Sequence, residues 1–155
     1  MAKKFKFRLE AVLKYRQMVE DEQKRAFATA NAAVEEKRRQ AEELDRERAE
    51  TLEGLRDITG EGAINMRTLN DTLRFVGSLE AGAMNVRQEE ERLRQQMENV
   101  RQQFVAARRD KRAVEVLKEK RRAAYDFATG QEFQAQLDEV ALRALLKRRR
   151  EEGGE

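Results

Sequence analysis

Val86-Arg87-Gln88-Glu89-Glu90-Glu91-Arg92-Leu93-Arg94-Gln95-Gln96-Met97-Glu98-Asn99-Val100-Arg101-Gln102-Gln103-Phe104-Val105-Ala106-Ala107 decides the fold class. Val86, Leu93, Met97, Val100, Phe104 and Ala107 recur at alternating steps of three and four, with Glu90 filling the one missing place. Residues three and four apart share one face of a helix. A narrow row of this period, flanked by charges, is the pattern of a coiled coil. The row continues through Val114 and Tyr125, interrupted by Lys111, Lys118 and Arg121. Its narrowness suits a seam between two helices better than a thick bundle.

Working outward, the first half carries a matching row: Phe27, Ala30, Val34, Ala41, Leu44, Thr51, Leu55 and Ile58, with Lys37 and Arg48 intruding. Phe5, Leu9, Val12 and Val19 form a similar but offset stripe, so a shift of register is expected near residues 20–27. Leu117, Phe127, Phe133, Leu137, Val140 and Leu145 lie partly off the second row, so the C-terminal part has an apolar face turned away from the first helix.

Composition supports long helices. The chain of 155 residues has no proline, and proline is the residue that breaks a helix interior. Charged residues are 41% and aromatics 6%, too polar for a core of ordinary thickness but enough for a seam. Disorder is the alternative for so charged a chain, yet disorder does not keep apolar residues in register. Acid-before-base pairs four apart, such as Glu10–Lys14, Glu35–Arg39, Glu42–Arg46 and Glu90–Arg94, further support helix.

The break falls at Thr59-Gly60-Glu61-Gly62-Ala63-Ile64-Asn65. Gly60 can take the left-handed conformation that closes a helix, and Asn65 can cap the next one. The expected fold is all-α: a long antiparallel two-helix coiled coil, a helical hairpin drawn out as an elongated rod. Residues 1–150 form this single hairpin, with helix one at about 7–58, the turn at about 59–65 and a second arm at about 66–149. Gly77 and Gly82 mark a weak point near 77–82 where a bend or break is open, and residues 151–155 are expected to be a disordered tail. Facing positions then place Leu44 near Glu80.

The chain offers little for chemistry. It has no cysteine and no histidine, so thiolate chemistry and the commonest general base and metal ligand are missing. Gly60-Glu61-Gly62 lacks the rest of a phosphate-binding loop, and runs such as Glu89-Glu90-Glu91 point their carboxylates apart around a helix. No catalytic residue, cofactor site or metal site is expected, and the protein is read as a binding component, not an enzyme. No apolar run follows the basic start and none reaches the roughly 20 residues of a membrane span, so a cytoplasmic location is expected.

Charge is unevenly placed. Residues 1–16 carry six basic and one acidic side chain, residues 108–122 eight and three, and residues 31–62 six and ten. The open end of the hairpin is therefore basic and the tip region acidic, which suits a seat against an acidic partner. Helix-end electrostatics and solubility give a plainer reading of the same charges. Lys147-Arg148-Arg149-Arg150 could meet phosphates, but no aromatic platform accompanies it, so specific nucleic-acid binding is not expected as the main function.

Phe5-Lys6-Phe7-Arg8-Leu9-Glu10-Ala11-Val12-Leu13-Lys14-Tyr15-Arg16 is the most distinctive segment. It resembles the opening of the flagellar export protein FliJ family, Phe-x-Phe-Arg-Leu-x-x-Val-Leu. The glycine turn, the absence of proline and a charged C-terminal helix with Gln136-Leu137-Asp138-Glu139-Val140-Ala141 extend the likeness over essentially the whole chain. The resemblance implies a cytoplasmic antiparallel coiled coil at the inner face of the cell membrane. Its partners there are the hexameric flagellar export ATPase, the cytoplasmic part of the membrane export gate, and export chaperones. Membrane association would then be peripheral, through partners.

Joined to the basic end, the resemblance makes Phe5, Phe7, Arg8, Leu9, Leu13, Arg16, Lys118, Arg121 and Arg122 candidates for ATPase binding. Carried over by position, it makes Gln40, Leu44, Phe75 and Leu79 candidates for the gate, while Glu47, Thr51, Gly82 and Val86 depart from the family's residue types there. A non-flagellar coiled-coil scaffold or adaptor is the alternative from a different class.

Overall fold

A computed structural model of the chain describes residues 4–60, 62 and 65–152. Over them the protein is all-α, a helical hairpin of α1 (Glu10–Gly60) and α2 (Met66–Glu152), and no strand occurs among the described residues. Helix α1 starts at Glu10, later than residue 7, because the Glu10 N–H donates to the Phe7 carbonyl at 3.2 Å in a tighter turn first. The positive backbone angle of the turn falls at Gly62 (φ 122°), while Gly60, expected to take it, is the last helical residue. Glu61, Ala63 and Ile64 of the expected turn lie outside the described residues. Asn65 caps α2 as its sequence suggests: its Oδ1 accepts from the Arg67 N–H at 3.0 Å, satisfying one of the free donors of the first turn.

Helix α2 runs unbroken through Gly77 and Gly82, so the bend or break left open there does not occur. Val76, Leu79 and Ala83 are buried around these glycines, and packing of that face holds the backbone helical against glycine's entropic preference. The helix also continues through Glu151 and Glu152, the first two residues of the expected tail; Gly153, Gly154 and Glu155 lie outside the described residues.

The contacts fall into two units. The larger comprises residues 18–107. Within it, Phe27 stacks on Phe104 with centroids 6.2 Å apart, Lys37 pairs with Glu89 at 2.6 Å, Asp45 with Arg87, and Arg48 with Glu80 at 3.8 Å. Partners descend α2 as they ascend α1, so the helices are antiparallel. Val34, Ala41, Val76, Leu79, Ala83 and Ala107 are its buried residues. Leu44 lies against Gly82, two residues from the expected Glu80: a Cβ added at Gly82 would lie 3.6 Å from Leu44 Cδ1.

The second unit comprises residues 1–17 and 108–155. Arg16 pairs with Asp110 at 3.0 Å, Glu10 with Lys118 at 2.8 Å, and Phe5 meets Tyr125 with centroids 5.5 Å apart. Phe7 is buried beneath the Lys118 ammonium, 5.9 Å from its ring centroid. From Asp126 to Glu151 every side chain but Thr129 is exposed.

From Leu9, just before α1, the inward residues follow one row: Leu13, Arg16, Glu20, Gln23, Phe27, Ala30, Val34, Lys37, Ala41, Leu44, Arg48, Thr51 and Leu55. Where a shift of register was expected, near residues 20–27, the row keeps its steps, but the half-buried face widens over Val19, Glu20, Asp21 and Gln23. Val12 is 41% exposed, and the polar residues Arg16, Glu20 and Gln23 hold the seam positions that an apolar stripe would fill. Ion pairing is redirected in the same way. Glu90–Arg94 forms at 2.6 Å, but Glu10 crosses to Lys118, and Glu35 and Glu42 both turn to Arg38 at 3.7 and 3.0 Å.

The hydrogen bond from Lys37, together with its charge, holds the Glu89 carboxyl below the usual carboxylate range. A depressed folded value means that the pair's contribution is present above the ordinary carboxylate pKa and is lost as pH falls through the lowered one. Lys37→Met should return Glu89 to ordinary titration, seen by carboxyl-carbon NMR; an unmoved midpoint would contradict the assignment.

The space around Gly82 and Ala83 gives a second expectation. Gly82→Ala places its methyl at ordinary contact distance and gains helix propensity, for a stabilisation of up to about 1 kcal/mol. Ala83 is 1% exposed, so Ala83→Leu overpacks the seam and costs about 1–3 kcal/mol. Urea unfolding of the two variants should move in opposite directions.

Candidate functional site

The unit of residues 1–17 and 108–155 contains every residue expected to face the ATPase. Several are occupied within it. Phe7 is buried, and Phe5, Leu9 and Leu13 are half-buried against α2. Arg16 is held by Asp110 and Lys118 by Glu10. Arg122 sits 3.8 Å from Asp126 on its own helix. Arg112, part of the same basic segment, donates to Glu119 at 3.0 Å and Glu115 at 3.3 Å, and these bonds push its guanidinium further up in pKa.

Arg8 and Arg121 are exposed and have no ion-pair partner among the described residues. The sequence reading did not select Val12 and Tyr15, which stand three apart on the outer side of α1, 41% and 62% exposed. Their signal was available: both fall off the inward row that runs through Leu9, Leu13 and Arg16. The outer surface of this unit is thus basic with a small apolar patch, while the aromatic pair of the opening motif serves to lock the chain's start onto α2.

The gate candidates all fall in the unit of residues 18–107. The Gln40 amide donates to Glu36 Oε1 at 3.1 Å. Leu44 is half-buried at Gly82, and Leu79 is only 7% exposed, so both belong to the seam. Phe75 is different: it lies on α2 with 44% of its surface exposed. Leu73 and Met84 on the same helix are exposed as well. Among the departing positions, Thr51 turns its hydroxyl inward to its own helix, donating to the Glu47 carbonyl at 2.7 Å.

Among the described residues no group of three His, Cys, Asp or Glu side chains is placed to hold a metal ion, and no helix is long and apolar enough to cross a membrane. Fold and surface together define a class: a helical-hairpin protein that presents charged and apolar faces to partners. Over residues 5–150 the chain matches the family model described as "Flagellar FliJ protein". It belongs to that family, and so is a structural component of flagellar protein export associated with the export apparatus. No curated protein and no solved structure matched the chain. The alternative of a non-flagellar scaffold gives way to this assignment.

Burial separates the gate candidates by role. Leu79→Ala should destabilise by about 2 kcal/mol or more through lost burial and a residual cavity. Phe75→Ala should stay within about 0.5 kcal/mol of the parent, as surface substitutions do. Thermal and urea unfolding of the two variants read this directly.

Proposed function

We propose that this protein acts as the coiled-coil stalk of the export apparatus, binding the hexameric export ATPase and the cytoplasmic part of the export gate. In this reading it couples ATP hydrolysis to export of flagellar subunits and acts as an export chaperone or escort. It works in the cytoplasm at the inner face of the membrane, attached through its partners, and serves motility and chemotaxis by building the flagellum. Family membership over residues 5–150 carries the reading.

Charge supports the ATPase contact. Lys4, Lys6, Arg8 and Lys14 of the opening segment and Arg121 of α2 are exposed within one unit, and basic residues of this kind steer association with an acidic surface. Tyr15 and Val12 add apolar area beside them. Phe5, Phe7, Leu9 and Leu13 contribute by holding the surface in place more than by entering the partner. A helical pair that meets one subunit of a ring more strongly than its neighbours biases which subunit closes, and so acts on another protein's cycle without chemistry of its own. Gate binding draws on Phe75 as the exposed anchor; Gln40, Leu44 and Leu79 are the further candidates, the last two within the seam.

The test is the ATPase activity of the cognate hexamer with and without this protein, alongside a pull-down at low salt. Stimulation and binding are expected. Arg8→Glu with Arg121→Glu should weaken binding several-fold while helix content is unchanged, since exposed charge reversals act on association and hardly on folding. Absence of both stimulation and binding would sink the stalk role.

A further inference from the structure

Among the described residues α2 meets no other helix beyond Tyr125: Phe5 is the last of them on the α1 side to meet it, and Asp126 to Glu151 is almost wholly exposed. This arm does not have the composition of a solvated helix. Phe127, Phe133, Leu137, Val140, Leu142, Leu145 and Leu146 are all 47–68% exposed. Phe133, Leu137, Val140 and Ala144 continue at steps of four, three and four, the spacing of a coiled-coil seam. An apolar row of this kind left open on a helix is a surface made to be covered.

Charge states what covers it. Residues 126–139 contain four carboxylates, Asp126, Glu132, Asp138 and Glu139, and no base. Residues 140–150 contain five bases, Arg143, Lys147, Arg148, Arg149 and Arg150, and no acid. Arg143 is paired to Glu139 at 2.6 Å, whereas Arg148, Arg149 and Arg150 have no ion-pair partner among the described residues. An anionic lipid surface would attract the second half of the arm and repel the first. A foreign helix would need the same two charges in reversed order along its length. A second copy of this arm, laid antiparallel, supplies that order by symmetry; laid parallel, it would set base against base.

We infer that the arms of two copies pair antiparallel through Phe133, Leu137, Val140 and Ala144. Leu137 of each copy lies beside Val140 of the other, and Phe133 beside Ala144. In this register Glu132 lies opposite Leu145, between Arg143 and Arg148 of the other copy, and Asp126 lies opposite Glu151, one turn from Lys147, while Asp138 and Glu139 meet their own counterparts at the centre. The pairing uses none of the residues assigned to the ATPase or the gate, and it stands whether or not those assignments do. The seam is short, so the dimer is a weak, reversible one, strengthened at low salt where the opposed charges are least screened.

Sedimentation equilibrium of the full chain over a wide concentration range, at low and high salt, tests it. A monomer–dimer equilibrium is expected. Leu137→Asp with Val140→Asp should weaken it at least about tenfold by placing charge in an apolar seam, with circular dichroism unchanged because both sites are exposed.

The chain has no cysteine, so introduced thiols report orientation cleanly. Mixed under oxidation, Phe133→Cys and Ala144→Cys should cross-link to each other and scarcely to themselves. A monomer at all concentrations, a dimer indifferent to the double aspartate variant, or self-linked Phe133→Cys would each overturn the proposal. So would a monomer that binds phosphatidylserine vesicles through residues 133–150, which would assign the face to lipid.

Discussion

A pair of helices can bury only the single row of side chains that each turns to the other, and the rest of this protein depends on that limit. Its buried residues are few and mostly small: Val34, Ala41, Val76, Ala83 and Ala107 with Leu79 and Phe7, and no large side chain is fully enclosed among the described residues. Small residues let the backbones approach closely, so dispersion and area burial are spread thinly over many turns. Length substitutes for thickness. Helices of 51 and 87 residues without an interior proline are the means of supplying it. Helix propensity alone does not stabilise such segments in water; the amphipathic face does.

The same limit explains the polar residues that sit within the seam. Arg16 with Asp110, Glu10 with Lys118, Lys37 with Glu89 and Arg48 with Glu80 all bridge from α1 to α2. Pairs this exposed are worth about 0–1 kcal/mol each, little as stability. Their value is in register. Slipping one helix by a turn leaves every charge beside the wrong neighbour, a discrimination that an apolar row of similar residues makes poorly. Phe27 on Phe104 and Leu44 against Gly82 add a steric version of the same information.

Much of this was legible from the amino-acid order because the period of three and four survives wherever the seam is apolar. The second row from Val86 to Ala107, the turn region and the Asn65 cap each have a local chemical signature. The reading failed where the seam turns polar or glycine-rich. Arg16, Glu20 and Gln23 occupy inward positions, so an apolar pattern alone loses the row there.

Gly77 and Gly82 look like breakers in isolation, and only the burial of Val76, Leu79 and Ala83 reveals that the helix passes through them. The candidate surfaces were legible in the same partial way. The basic segments have a local signature, whereas the burial of Phe7 and the half-burial of Phe5 against α2 have none. Tyr15 and Val12 stand out as exposed only once the inward row is traced through the polar Arg16, which an apolar count passes over.

Binding follows from what the seam leaves over. A residue that closes the hairpin cannot also enter a partner without opening it, so Phe7 and Leu79 are unsuited to be anchors however well their types match. Residues off the inward row carry no such cost. Phe75 in the larger unit, Val12 and Tyr15 with Arg8 and Arg121 in the other, and the apolar row of the α2 arm are each exposed on a helix whose backbone is already fixed by packing or by its own hydrogen bonds. Preorganised anchors of this sort lose little further entropy on association. A two-helix protein is thereby well suited to work on other proteins, since every position not used in holding its helices together is surface.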